Sequence, residues 1–411
     1  MSFWLCLEWP GIFNRDSHSD LNRAIAGQVH YWRSYLYNAY LRGLVSISGE
    51  PALITIVQCV IVAVIFSALA VRLHKRAPRA TPWSMAILLL CPLNGLFAVH
   101  VNRDTLMAWL CAWAAVELFL ILKSIRLEWS GILRCTALAT TCAALRGENL
   151  VLPLMLLFIL GWHYRHKPAV TVRIAGVIMV TLSFFFFILP PLVGAETKQI
   201  LPYAANREGQ EYRAEFIMSP LRQVILSLPL AEREKAISPE FLHNIFKPQD
   251  LLAVGSPLRA FLLMSRANSE ASIEDWVMFR KNAHQLLALH PWTVLKNRVE
   301  MFKANVGFSS ETYYLHDFRP KDSVWPAARN WLRAGLEPDQ PWRMLYASLL
   351  LPFAMLGFVF LNWKRYPAAA CAATFGICRL IPLFLASPAP HFSYVYSVFL
   401  LELISKLDFS S

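Results

Sequence analysis

Asp16 stands in the stretch GIFNRDSHSD, just before an amphipathic run, and a carboxylate in that place has two uses. It can take a proton from a hydroxyl, or hold a divalent cation such as Mg or Mn together with a second acid. The competing use is structural, because Ser17 and Asp20 have the S-x-x-D spacing of a helix capping box. Asp104, in HVNRDTLM, opens a second apolar run and is either the partner acid or, with Asn102, a helix N-cap. Arg146 and Glu148 interrupt the apolar stretch around LRGENL. Charges inside apolar sequence are costly unless they pair or face a wet cavity, so ligand binding and structural pairing both remain open for them. Arg379, in FGICRLIPLF, has the planar fork of donors that matches phosphate oxygens; alternatively it pairs with Glu117 or Glu402. His391, in SPAPHFSYVY, is a further candidate, although Tyr394 and Tyr396 beside it fit an interfacial aromatic belt.

The absent motifs narrow the chemistry. There is no Walker sequence, no GxGxxG, no GxSxG and no HExxH, so ATP hydrolysis, dinucleotide redox chemistry, serine hydrolysis and zinc proteolysis are not advertised. The eight cysteines lie in apolar stretches without CxxC spacing and read as small buried residues. The start MSFWLCLEW lacks a basic n-region and a small-residue cleavage site, so it does not read as a signal peptide.

The elements that must position these residues are apolar helices. Of 411 residues, 56% are hydrophobic and 16% charged, a balance that excludes an ordinary soluble enzyme. Nine spans are expected, at about 51–71, 82–101, 105–122, 130–147, 149–162, 174–194, 344–363, 367–387 and 393–407, with those around LRGENL short for a crossing. Four short connections carry eleven basic residues: Arg72, Lys75, Arg76, Arg79, Lys123, Arg126, Arg165, Lys167, Arg173, Lys364 and Arg365. The positive-inside rule puts these in the cytoplasm, so the N-terminal segment and the long 195–342 segment face outward. That segment has 18 Lys plus Arg against 17 Asp plus Glu, so the net charge of +12 belongs to the inner loops and no nucleic-acid partner is implied.

The expected organisation is therefore an outward N-terminal segment (1–50) with amphipathic surface helices broken near Gly27, and a bundle of about six spans (51–194). An outward soluble domain (195–342) and a C-terminal bundle of about three spans (343–411) follow. Within the domain, 220–237 and 276–291 have helical spacing, and Pro220, Pro239, Pro248, Pro257 and Pro291 punctuate it.

PGIFNRDS before an amphipathic helix pair, NRDTLMA opening a helix, LRGENLVLPL at a short helix pair and a large outward domain late in the chain together resemble the GT-C class of polytopic membrane glycosyltransferases. MSPLRQVI, FLHNIFKPQD and ALHPWTVLKNRVEMF are similar to bacterial members of that class. The resemblance implies an all-α polytopic membrane protein, a GT-C-like transmembrane helix bundle with a mainly helical outward-facing domain. It also implies a polyprenyl-phosphate-linked sugar donor, inversion at the sugar, and transfer to a glycan, lipid or protein on the outer side of a bacterial inner membrane. Asp16 matches the acid of the first outward loop, Asp104 a second-loop acid and Arg146 a basic residue of the following loop. Asp16 and Asp104 are thus the expected catalytic acids and, if a metal takes part, its ligands. Arg146 and Arg379 are expected on the donor phosphate, with Asp20, Glu148 and His391 as additional site residues. The expected partners are the lipid-linked donor, its acceptor and membrane lipids. A flippase or transporter of lipid-linked sugars would instead predict internal repeats, which the sequence lacks, and an oligosaccharide polymerase or ligase would share the large outward loop.

Overall fold

The computed structural model describes residues 2–305 apart from 14, 28–30, 75–80, 91, 125–127, 195–206 and 253–255, together with 325–328, 330, 376, 380, 384 and 396. The expected spans at 344–363, 367–387 and 393–407 lie outside the described residues. The chain divides into two compact units: Met1–Thr197 with Tyr314–Leu380 and Ser393–Ser411, and Lys198–Tyr313 with Ile381–Phe392. Among the described residues both are helical, with no strand.

The first unit begins with α1 (Ser2–Leu7), α2 (Arg15–Ile25) and α3 (Tyr31–Ser48). The chain turns between α2 and α3 at Gly27, whose φ of 72° suits glycine, as the sequence reading placed the break. Ile25, assigned to the apolar face, is 60% exposed, whereas Tyr35, Tyr37, Asn38 and Leu41 of α3 are buried. α3 packs against α2, α4 and α8, and its polar aromatics serve as core.

Then follow α4 (Pro51–His74), α5 (Thr81–Leu90), α6 (Pro92–Val99), α7 (Arg103–Lys123), α8 (Trp129–Leu145), α9 (Val151–His163), α10 (Pro168–Ser183) and α11 (Leu189–Leu192). Among the described residues three stretches are long and apolar enough to cross a membrane: Pro51–His74 with 24 residues, Arg103–Leu122 with 20, and Pro168–Leu192 with 25, which runs from α10 through a π-turn to α11. At 1.5 Å per residue each reaches about 30 Å or more. Over the expected span at 82–101 the described residues are helical from Thr81 to Leu90 and from Pro92 to Val99. A Cβ at Gly95 would overlap the Trp4 ring of α1, so α6 lies in close packing against that helix.

The centre of this unit is α7 against α8. Small residues face one another across the pair (Cys111, Ala114 and Ala115 against Cys135, Ala139 and Cys142), allowing close approach of the backbones. Cys135 Sγ lies 3.3 Å from the Ala114 carbonyl oxygen and Cys142 Sγ 3.6 Å from that of Met107. These cysteines are buried and unbridged, in the small-residue role the sequence indicated. Val172, Val180 and Phe187, by contrast, face away from the protein at 70% exposure or more.

The second unit comprises α12 (Arg207–Ser227), α13 (Leu230–Ala236), α14 (Pro239–Leu242), α15 (Pro248–Leu252), α16 (Ile273–Leu289) and α17 (Pro291–Asn305). Met218, Leu221, Trp276 and Phe279 form its core. Pro239, Pro248 and Pro291 each open a helix, where the missing N–H costs nothing. Pro220 is the exception, lying inside α12. Ser272 and Asp275 make a reciprocal capping box on α16. Arg222 is buried but donates to the carbonyls of Leu251 at 3.1 Å and Ser256 at 3.0 Å, a structural use of its charge.

Candidate functional site

Two turns of the first unit are sewn together. Ile12 N–H donates to the Val99 carbonyl at 3.0 Å, and Val101 N–H donates to the Ile12 carbonyl at 2.9 Å, a single parallel bridge. Gly11 makes this possible: its φ is 126°, and a Cβ there would overlap the Thr55 side chain. Ser17 Oγ donates to the Val101 carbonyl. Because α2 starts at Arg15, Ser17 lies inside the first turn, which corrects the capping-box reading. From the other side, Gln58 Nε2 donates to the carbonyls of Ala98 at 2.9 Å and His100 at 2.8 Å. Thr105 Oγ1 adds bonds to Phe97 at 3.0 Å and His100 at 3.2 Å. The turn before α7 is thereby held from α2, α4 and α7 together.

Asn102 caps α7, its side chain accepting from Asp104 N–H at 2.9 Å. With the cap supplied by Asn102, the Asp104 carboxylate is turned to another partner, the Arg146 guanidinium. Arg146 ends α8: its N–H donates to the Cys142 carbonyl at 3.1 Å, and Asn149 Nδ2 donates to the same carbonyl at 3.1 Å. The neighbouring Arg103 reaches Asp20 of α2 at 3.9 Å. The Asp20 and Asp104 side chains are each only 4% exposed, and Arg146 is 10% exposed. Two acids and two arginines from three segments (α2, the start of α7 and the end of α8) thus form largely buried pairs of opposite charge, the condition under which buried charge is tolerated.

Tyr37 of α3 lies in the field of this group. Burial above all, then Tyr40 and Asp20, push its phenol well above the usual range, with Arg103 acting in the opposite direction. It therefore stays protonated and neutral at any working pH.

Of the other sequence candidates, Asp16 lies in α2 four residues before Asp20, and Glu148 lies in the 3₁₀ turn Gly147–Leu150. The side chains of both, and all of Arg379 and His391, are outside the described residues. Glu117, one possible partner for Arg379, is engaged elsewhere. Its carboxylate meets Arg72 of α4 at 3.1 Å and Arg134 of α8 at 3.3 Å, and accepts from Trp113 Nε1 at 3.2 Å.

Gln58, Thr105 and Tyr37 were not singled out from sequence. The available signal was polar residues in otherwise apolar runs, Gln58 being the plainest case in ALITIVQCVIVAVIF. Among the described residues no group of three His, Cys, Asp or Glu is arranged to hold a divalent cation, and Asp104, one of the two expected metal ligands, pairs with Arg146.

No protein-family model, curated protein or solved structure matches this chain.

Proposed function

We propose that the chain is an inverting membrane glycosyltransferase of the GT-C type. It would move a sugar from a polyprenyl phosphate to a glycan, lipid or protein on the outer face of a bacterial inner membrane that it spans several times. The observation that carries this reading is the joining of the first and second outward turns, which gathers Asp20, Arg103, Asp104 and Arg146 at one end of a unit with three membrane-length helices.

In the reaction, the bond between the sugar's anomeric carbon and the donor phosphate oxygen breaks, and a bond to the acceptor hydroxyl oxygen forms on the opposite face. The electron pair leaves on the phosphate oxygen, and the hydroxyl proton goes to a carboxylate, assigned to Asp16. Charge building on the departing phosphate must be met by a preorganised cation. Arg146 is suited to that task because Asp104 holds its guanidinium in place. Asp104 then orients the arginine, and no step is routed through a metal.

Incubation of the purified protein with labelled polyprenyl phosphate sugars, in the presence of envelope extract as acceptor, tests the reading. Release of free polyprenyl phosphate is expected, whereas a transporter would release none. The orientation has its own check: a cysteine at Glu270 should label from outside in intact spheroplasts and one at Arg76 should not.

A further inference from the structure

Tyr37 is 1% exposed, and its hydroxyl has no hydrogen-bond partner among the described residues. Its neighbours on α3 differ. Tyr35 gives its hydroxyl to the Phe185 carbonyl, and Tyr40, whose ring centroid is 5.8 Å from that of Tyr37, donates to the Ile54 carbonyl at 3.3 Å. The next residue, Asn38, is fully buried, and neither amide atom has a partner among the described residues. Buried polar groups are nearly always satisfied, because leaving them unmade forfeits their bonds to water without replacement. Successive helical residues point about 100° apart, so it is the Tyr37 hydroxyl, on the helix that packs against α2 and α8, that marks a place another molecule completes.

The chemistry of that molecule follows from the surroundings. Among the described residues Asp20 and Asp104 are balanced by Arg103 and Arg146, so these pairs leave little net attraction for a second anion beside Tyr37. A neutral hydroxyl suits a phenol that stays protonated and has a proton to donate. Ordered water would fill the position in the empty protein and leave when a ligand hydroxyl takes its bonds.

We propose that Tyr37 donates a hydrogen bond to a hydroxyl of the transferred sugar, making α3 the element that separates a sugar-bearing lipid from the bare carrier. This rests on the glycosyltransferase reading and adds to it the sugar-recognising side chain.

The test compares binding of undecaprenyl phosphate with that of undecaprenyl phosphate carrying glucose, galactose or mannose, for the wild type and Tyr37→Phe, with melting temperatures measured without ligand. The wild type should prefer one sugar-linked lipid about tenfold over the bare carrier. In Tyr37→Phe that preference should fall to within about twofold, with affinity for the bare carrier unchanged and the melting temperature equal or higher, since an unmade bond has been removed. A retained preference in Tyr37→Phe overturns this inference alone. So does a lower melting temperature, which would give the hydroxyl a structural partner, or a wild type that binds bare and sugar-linked lipids equally. A wild type that takes up none of the lipids overturns the proposed function together with this inference.

Discussion

The two ends of the α4–α7–α8 core both bury a carboxylate of α7 against arginine, yet they settle it differently. At one end Glu117 takes Arg72, Arg134 and the Trp113 N–H, and the two arginine side chains remain 30% and 36% exposed. That carboxylate is saturated and its cations reach out of the protein, the arrangement of a clasp between helices. At the other end Asp104 holds an arginine that is itself buried, a second pair lies beside it, and the Tyr37 hydroxyl nearby has no partner among the described residues. A saturated network adds rigidity, whereas one with an open position is built to take a further group. The second end is the better candidate for recognition although both have the same residue types.

The sharpest way to break this contrast is to remove one partner at the buried end. Arg146→Met should cost about 3–5 kcal/mol of stability by leaving Asp104 buried and uncompensated, and turnover should be lost. Adding Asp104→Leu should restore most of the stability in denaturant unfolding but none of the turnover. Recovery of activity in that double variant would reduce the pair to a structural element.

Asp16→Asn should lower turnover by about 100-fold, the usual scale for losing a general base, with little change in melting temperature. Full activity in that variant would sink the assignment of Asp16. Asp20→Asn separates the two acids of α2. A capping role would make it mild, but burial against Arg103 predicts a measurable loss of stability.

Gly11→Ala tests the seam between the turns. At φ 126° and in contact with Thr55, any side chain is strained, so a loss of about 1–3 kcal/mol is expected together with reduced turnover. The smallest effect should come from the clasp. Glu117→Gln leaves Arg72 and Arg134 able to reach solvent or headgroups, and should cost about 1 kcal/mol while turnover survives. A loss of activity there as large as that of Arg146→Met would erase the distinction between the two ends.

Much of the local structure could be read from residue order, because helices impose short-range rules. The apolar runs at 51–71, 105–122 and 174–194 became α4, α7 and the α10–α11 stretch, Gly27 ended α2, and the spacing in 276–291 marked α16. The residues around the site were legible as charges out of place: Asp104, Arg146, and the acids of GIFNRDSHSD. Their partners were not. Whether Asn102 or Asp104 capped α7 was undecidable from spacing, since both stand where a cap can form. The choice falls to Asn102 because Arg146, 42 positions away, claims the carboxylate. Arg103 meeting Asp20, Ser17 reaching Val101, and Gln58 holding the turn at 98–100 are likewise bonds across loops. Sequence by itself determined which segments coil and which residues are too polar for their surroundings, because helix periodicity and the transfer cost of charge act over a few residues. Only the tertiary structure decided which of those polar residues satisfy one another and which, like Tyr37, are left for something else. That depends on how loops return helices to a common end, and no local period encodes it.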